Sequence, residues 1–250
     1  MSKLANPAFK PELVTVDDAA ALARAAVQEF CRCAQEAFVS HGRFCVALSG
    51  GNTPRAVNSL LATEYVDLAW DKVFIFFGDE RNVPPDHPDS NYRMASETLL
   101  SRVPLPQRNV FRVNAELPAS AAADDYDRQL REFFGVQSGA WPRFDLILLG
   151  MGEDGHTASL FPGSAALQEQ SRMVVANWVE KFHSYRITFT FPVLNHAAEV
   201  LFLVSGEGKS RVLRGILDRA PTDAGYPAAK VRPQDGRLLW IVDKAAAQLL

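Results

Sequence analysis

The segment GMGEDGHTASLFPG, residues 150–163, follows the apolar run FDLILL and sets glycines, two acids and one histidine side by side. Imidazole is the side chain that ordinarily changes charge near neutral pH, so His156 suits the work of a general base. Asp154 or Glu153 would orient the ring or fix its charge. A lone histidine is more often structural, but glycines just after a buried strand bring this one to a rim where other polar loops meet. Three further loops carry glycine or charge directly after apolar runs. In SGGNTP, residues 49–54, Gly50 and Gly51 free the backbone to present successive N–H groups, and Ser49 and Thr53 add hydroxyls. The helix that follows adds unpaired donors and a partial positive charge. Such a junction is either a capped tight turn or a phosphate cradle. It is neither a Walker A loop nor a G-x-G-x-x-G dinucleotide loop.

SGEGKS, residues 205–210, repeats the pattern with Lys209 at a helix start. A cation there opposes the helix dipole, and an anionic ligand would account for it; a solvated lysine is the plainer alternative. Arg186 opens RITFTF and either reaches the same anion, with a fork that suits phosphate oxygens, or is a surface residue at a strand end. GDER, residues 78–81, places two acids and an arginine just past a strand. Asp79 would orient Arg81 or accept a substrate hydroxyl, and Arg81 would hold a carboxylate or stabilise developing negative charge. A surface ion pair of little energetic value is the other reading. Asn91, in SNY, lies at the next helix start, where capping alone would explain it.

Other chemistries fit less well. Ser159 lacks the G-x-S-x-G elbow, and no H-E-x-x-H or H-x-x-x-H occurs, so no metal site is expected. Cys31, Cys33 and Cys45 lie outside all four loops and read as reduced, buried thiols. His41, His87, His183 and His196 read as surface or packing residues. What remains is histidine-assisted attack by water, or proton transfer on a phosphorylated sugar.

Apolar runs that alternate with helical patterns must position these loops. RFCVAL, KVFIFF, FDLILL, RMVVAN, RITFTF, EVLFLV and RLLWIV read as strands. Residues 21–38, 53–62, 90–101, 123–134 and 209–217 read as helices, with Thr53 as N-cap of the second and Pro54 at its first helical position. The alternation predicts one α/β domain over residues 1–250, a mainly parallel sheet with helices on both faces. Alternating Ile187, Thr188, Phe189, Thr190 and Phe191 suggest a strand near an edge or in a mixed part of the sheet. Ligands of such folds bind beyond the carboxyl ends of the strands, so all four loops should open onto one rim.

The chain has 250 residues, of which 48% are hydrophobic and 22% charged, with a net charge of −3. That balance gives no general attraction to nucleic acid or to an anionic membrane. The first ten residues hold no apolar run of signal-peptide length, and no segment is long and apolar enough for a transmembrane helix. A cytoplasmic protein is expected.

LSGGNTP, GDERNVPPDHPDSNYRMA, LLGMGEDGHTASLFPG and RITFTFPVLNHA together closely resemble the 6-phosphogluconolactonases of the glucosamine-6-phosphate isomerase/6-phosphogluconolactonase family. The resemblance covers most of the chain. It implies a Rossmann-like fold and hydrolysis of a phosphorylated sugar lactone, 6-phosphoglucono-δ-lactone, without metal or cofactor. By resemblance His156 is the general base and Arg81 assists the oxyanion or positions the ring. Ser49, Gly50, Gly51 and Thr53, with Arg186 and Lys209, hold the phosphate. Asp79 and Asn91 hold hydroxyls or neighbouring loops, and Gly152 counts among the substrate-binding residues. Asn52 stands where the family more often has serine. The related glucosamine-6-phosphate deaminases carry a glutamate five residues after the histidine, where this chain has Phe161. A non-catalytic sugar-phosphate sensor would need the phosphate loops but not His156 with Arg81.

Overall fold

In the computed structural model, residues 11–218 and 225–250 are described; the first ten residues and residues 219–224 lie outside them. Elements follow in the order β1 (Glu12–Val16), α1 (Ala19–His41), β2 (Phe44–Leu48), α2 (Asn52–Glu64), β3 (Val73–Phe77), β4 (Asp79–Arg81), α3 (Asn91–Ala95), α4 (Ala119–Phe134), β5 (Leu146–Leu149), β6 (Val174–Val179), β7 (Ser184–Phe189), α5 (Phe191–Asn195), β8 (Glu199–Val204), α6 (Ser210–Leu217) and β9 (Arg237–Asp243). Six strands form one sheet in the order β1-β9-β8-β5-β2-β3. All its pairings are parallel. Every residue of β2, β5 and β8 is buried. Parallel strands covered on both faces read as continuous apolar runs, which is why these segments are legible.

α1 and α2 cover one face, where Phe30 of α1 meets Phe44 of β2 edge-on at 5.1 Å. α4, α6 and a second, smaller sheet cover the other. Asp18 caps α1, its carboxylate accepting from Ala21 N at 2.7 Å, and Gly42 closes it in the left-handed conformation.

The second sheet is antiparallel, in the order β4-β7-β6. RITFTF is therefore not an edge strand: β7 is the middle strand of this sheet. It ends at Phe189, and Phe191 opens α5, because Pro192 suits the first turn of a helix. Gly78 links the two sheets. Its N–H donates to Leu48 O at 2.9 Å, in the parallel sheet, while its carbonyl accepts from Phe189 N at 2.8 Å, in the antiparallel one. The chain thus leaves β3 and passes straight into β4 across the rim.

Two expectations need correction. β1 is a strand that carries no buried run; all but its last residue are exposed. Backbone pairing with β9 and the ion pair of Arg237 with Glu12 at 2.7 Å hold it in place. The N-cap of α2 is Gly51 rather than Thr53. At φ 106° Gly51 turns the chain sharply, so the helix starts at Asn52 and Pro54 is its third residue. The three cysteines are buried thiols. Among the described residues no helix is long and apolar enough to cross a membrane.

Candidate active site

The four loops meet in one cleft of about 260 Å³ at the carboxyl end of the parallel sheet. The loop after β2 supplies Ser49, Gly50 and Gly51, and the β4 segment supplies Asp79 and Arg81. Asn91 comes from the start of α3, and Gly152 and His156 from the loop after β5. Lys209 lies at the start of α6. Asp154, Asn52, Thr53 and Arg186 do not line this cleft, although each adjoins it through a neighbour that does.

His156 Nδ1 lies 2.5 Å from Asp154 Oδ1, and the same oxygen accepts from the His156 backbone N–H at 3.2 Å. Among the described residues Nε2 has no hydrogen-bond partner. Burial disfavours the Asp154 carboxylate, but the hydrogen bond from His156, its charge and that of Lys181 outweigh burial and hold the acid below its ordinary range. Lys181 Nζ stands 3.7 Å from Asp154 Oδ2. Of the two acids considered for the ring, Asp154 bonds it; Glu153 points to Lys209, at 3.8 Å. Gly152 leaves room for the pair. A Cβ there would fall 2.1 Å from Nδ1 and 2.2 Å from Cε1 of His156.

Across the cleft Arg81 is held by two acceptors at 2.6 Å, the Asp89 carbonyl and Asn91 Oδ1. Asn91 turns its amide nitrogen the other way, to Asp79 O at 2.9 Å and Asp79 Oδ1 at 3.3 Å. Asn91 is therefore a buried strut rather than a surface cap; Ser90 caps α3. Gly50 makes that strut possible, since a Cβ at residue 50 would lie 1.8 Å from Asn91 Oδ1. Asp79 also accepts from Ser159 Oγ at 2.6 Å. Arg186 faces Arg81 in the β4–β7 register. Its own burial, and then the like charge of Arg81, push the Arg186 guanidinium down from its ordinary value. Two neighbouring cations, one half-buried, form an anion-seeking surface.

Donors complete the opposite wall. Ser49 is buried, and its hydroxyl has no partner among the described residues. The N–H groups of Asn52 and Thr53 at the start of α2 also lack partners there, as the first turn of a helix requires.

Sequence reasoning passed over three contributors. Glu80 is buried and accepts from the backbone N–H groups of Arg81, Asn91 and Tyr92 at 2.8, 2.7 and 2.8 Å, which docks the start of α3 against β4. Burial pushes its carboxyl up despite those donors. Phe161 lies flat on the His156 ring, with centroids 4.1 Å apart and planes 21° apart. Ser159 binds Asp79, as above. In the sequence Glu80 is only one of the charges of GDER; the bond of Ser159 to Asp79 spans 80 residues and leaves no local pattern, and the stacking of Phe161 on His156 depends on the turn between them.

A family model described as glucosamine-6-phosphate isomerases/6-phosphogluconolactonase matches residues 17–240. The chain is 43% identical to a 6-phosphogluconolactonase of Nostoc sp. over 212 residues, covering 84% of this chain and 86% of that protein. It is 40% identical to one of Rattus norvegicus over 239 residues, 92% of this chain and 89% of the other. Among solved structures it resembles 6-phosphogluconolactonase from Trypanosoma cruzi, with a TM-score of 0.87, 32% identity and 97% of each chain covered.

Proposed function

The chain belongs to the glucosamine-6-phosphate isomerase/6-phosphogluconolactonase family, and from that premise we propose that the cleft hydrolyses 6-phosphoglucono-δ-lactone to 6-phosphogluconate. The activity is that of a carboxylic ester hydrolase, at the second step of the oxidative pentose phosphate pathway. The chain acts as a single α/β domain in the cytoplasm. One observation carries the reading: an imidazole backed by a carboxylate lines the same small cleft as a fixed guanidinium, a glycine-rich helix start and a lysine.

Asp154 holds the proton of the neutral ring on Nδ1, which leaves the lone pair on Nε2. Nε2 takes a proton from a water as that water attacks the lactone carbonyl carbon. The carbonyl oxygen becomes an oxyanion, and Arg81 offsets its charge. When the tetrahedral species collapses, the bond from that carbon to the ring oxygen breaks. The imidazolium returns its proton to the departing oxygen, the new carboxyl group ionises, and the enzyme is unchanged. Asp154 stabilises the transient imidazolium. General-base help of this kind is worth about 10²–10⁴ in rate.

The 6-phosphate is held at the other end of the ring. The N–H groups of Asn52 and Thr53, the unpartnered Ser49 hydroxyl and Lys209 supply donors. Arg186 adds charge from the β7 side. The Asn52 side chain is exposed, so a serine or an asparagine there serves equally, the backbone N–H being the contact. Asn91 holds the arginine, Asp79 holds Asn91, and the two meet the sugar hydroxyls.

The test is the variant His156→Ala with freshly prepared lactone, acid release being followed against the spontaneous blank. Turnover should fall about 10²–10⁴-fold, while 6-phosphogluconate still binds. Near-normal hydrolysis would remove His156 from the chemistry. Glucosamine 6-phosphate, tested for ammonia release, should give none.

A further inference from the structure

His156 sits between two cavities. Its ring lines the small cleft described above, whereas Asp154 and Phe161 line a separate, largely apolar hollow of about 610 Å³ behind it. Phe161 is not among the residues that line the cleft, and it meets the imidazole instead. It is buried, its ring lies flat on that imidazole, and it meets Phe182 edge-on at 5.8 Å. Phe182 in turn carries the Arg186 guanidinium over its face, 5.2 Å from the ring centre.

The Nδ1 bond to Asp154 fixes one point of the His156 ring but leaves its plane free to tilt. A second constraint is needed before Nε2 has one direction. Gly152 leaves room for the Nδ1–Cε1 edge, where a Cβ would clash, and Phe161 covers one face. We propose that Phe161 is a positioning residue for His156: stacked on the imidazole and met edge-on by Phe182, it sets the plane of the ring, so that Nε2 points at the attacking water. This rests on His156 being the general base. Phe161 does not line the cleft, so its contribution falls on turnover and not on affinity. A 1 Å misplacement of a reacting group can cost about a hundredfold, and a tilting ring moves Nε2 on that scale.

The experiment compares Phe161→Leu with Phe161→Tyr in the full-length protein. Phe161→Leu keeps an apolar side chain but loses the flat face; Phe161→Tyr keeps the face. Phe161→Leu should lower kcat about 10- to 100-fold with KM for the lactone within about twofold of the parent. Phe161→Tyr should restore most of that loss. The ring-current shift of the His156 carbon-bound protons, read by NMR, should vanish in the leucine variant and persist in the tyrosine one. If Phe161→Leu is too unstable to purify, Phe161→Met carries the same expectation. Parental kcat in the leucine or methionine variant overturns the proposal. So does an equal loss in the tyrosine variant, or a fall in kcat matched by a rise in KM, since either indicates general damage to the fold. His156→Ala separates the two levels. If that variant is inactive while Phe161→Leu is normal, only the positioning role fails; if it is active, the base assignment fails first.

Discussion

Replacing Gly152 by alanine should silence the site almost as completely as removing the imidazole. The added Cβ would lie 2.1 Å from Nδ1 and 2.2 Å from Cε1 of His156, and 2.6 Å from Asp154 Oδ1. Carbon prefers non-bonded neighbours at about 3.5–4.0 Å, so more than an ångström must be recovered. Phe161 blocks retreat across one ring face. The ring must therefore swing out and break its 2.5 Å link to Asp154, or the loop must shift and carry both residues with it. Either way Nε2 moves by an ångström or more, which alone costs about a hundredfold; full loss of the base costs up to about 10⁴. Gly152 is not at positive φ, so alanine adds no backbone strain there. The clash is with side chains, and folding should be largely preserved. The assay is kcat for fresh lactone by acid titration, with 6-phosphogluconate binding as a control for the phosphate loops. An alanine variant that keeps more than half of the parental kcat would show that the pairing of His156 with Asp154 is not the working arrangement.

On the reading proposed above Arg186 and Lys209 meet the phosphate, so Arg186→Ala and Lys209→Ala should each raise KM with little change in kcat; an unchanged KM in both variants, measured by initial rates over a range of lactone concentrations, would move the phosphate site elsewhere. A pH effect on stability is expected at the opposite end of the sheet. Burial, and then the hydrogen bond and charge of Glu29, push the Glu199 carboxyl up to about 7, while Arg32 and Arg237 act in the opposite direction. An acid whose folded value is raised binds its proton more tightly in the folded state, so its contribution favours folding below the unfolded value, near ~4.3. That contribution is lost as pH rises through about 7. The thermal stability of the parent should therefore fall, relative to Glu199→Gln, as pH rises between those two limits; parallel melting curves across the window would contradict it.

The parallel sheet was legible because its strands are buried on both faces and leave uninterrupted apolar runs, such as FCVAL and EVLFLV. From parallel strands the shared rim follows, and with it the convergence of the SGGNTP, GDER, GMGEDGH and SGEGKS loops. The small antiparallel sheet was not legible. β4 has three residues, all of them charged, and only pairing with β7 makes it a strand. β1 was missed for the opposite reason: its side chains are exposed, and its order comes from the backbone of β9 and from an arginine more than two hundred residues away. Residue types showed which groups have chemistry to offer, but not which group holds which. Whether Asp154 or Glu153 served His156 was open in the sequence; the turn at Gly155 decides it, by folding Asp154 back onto the ring and leaving Glu153 to face Lys209.

Arg81 and Arg186 indicate how such a site is built before any ligand arrives. Facing cations repel, and burial makes Arg186 worse off still. Stability alone would not select that pair. The Asp89 carbonyl and Asn91 hold Arg81 in place, and the nearby acids do not quench it: Glu80 is engaged with backbone donors, and Asp79 with Ser159 and Asn91. The surrounding polar groups are spent on rigidity, and the positive charge is left over. On the reading proposed above, the substrate supplies the missing negative charge twice, as a phosphate when it binds and as an oxyanion when it reacts. Only the second appears in the transition state. Arg81, fixed by two hydrogen bonds of 2.6 Å, needs no rearrangement at that moment. Arg186 and Lys209, which serve the phosphate throughout, would change affinity rather than rate.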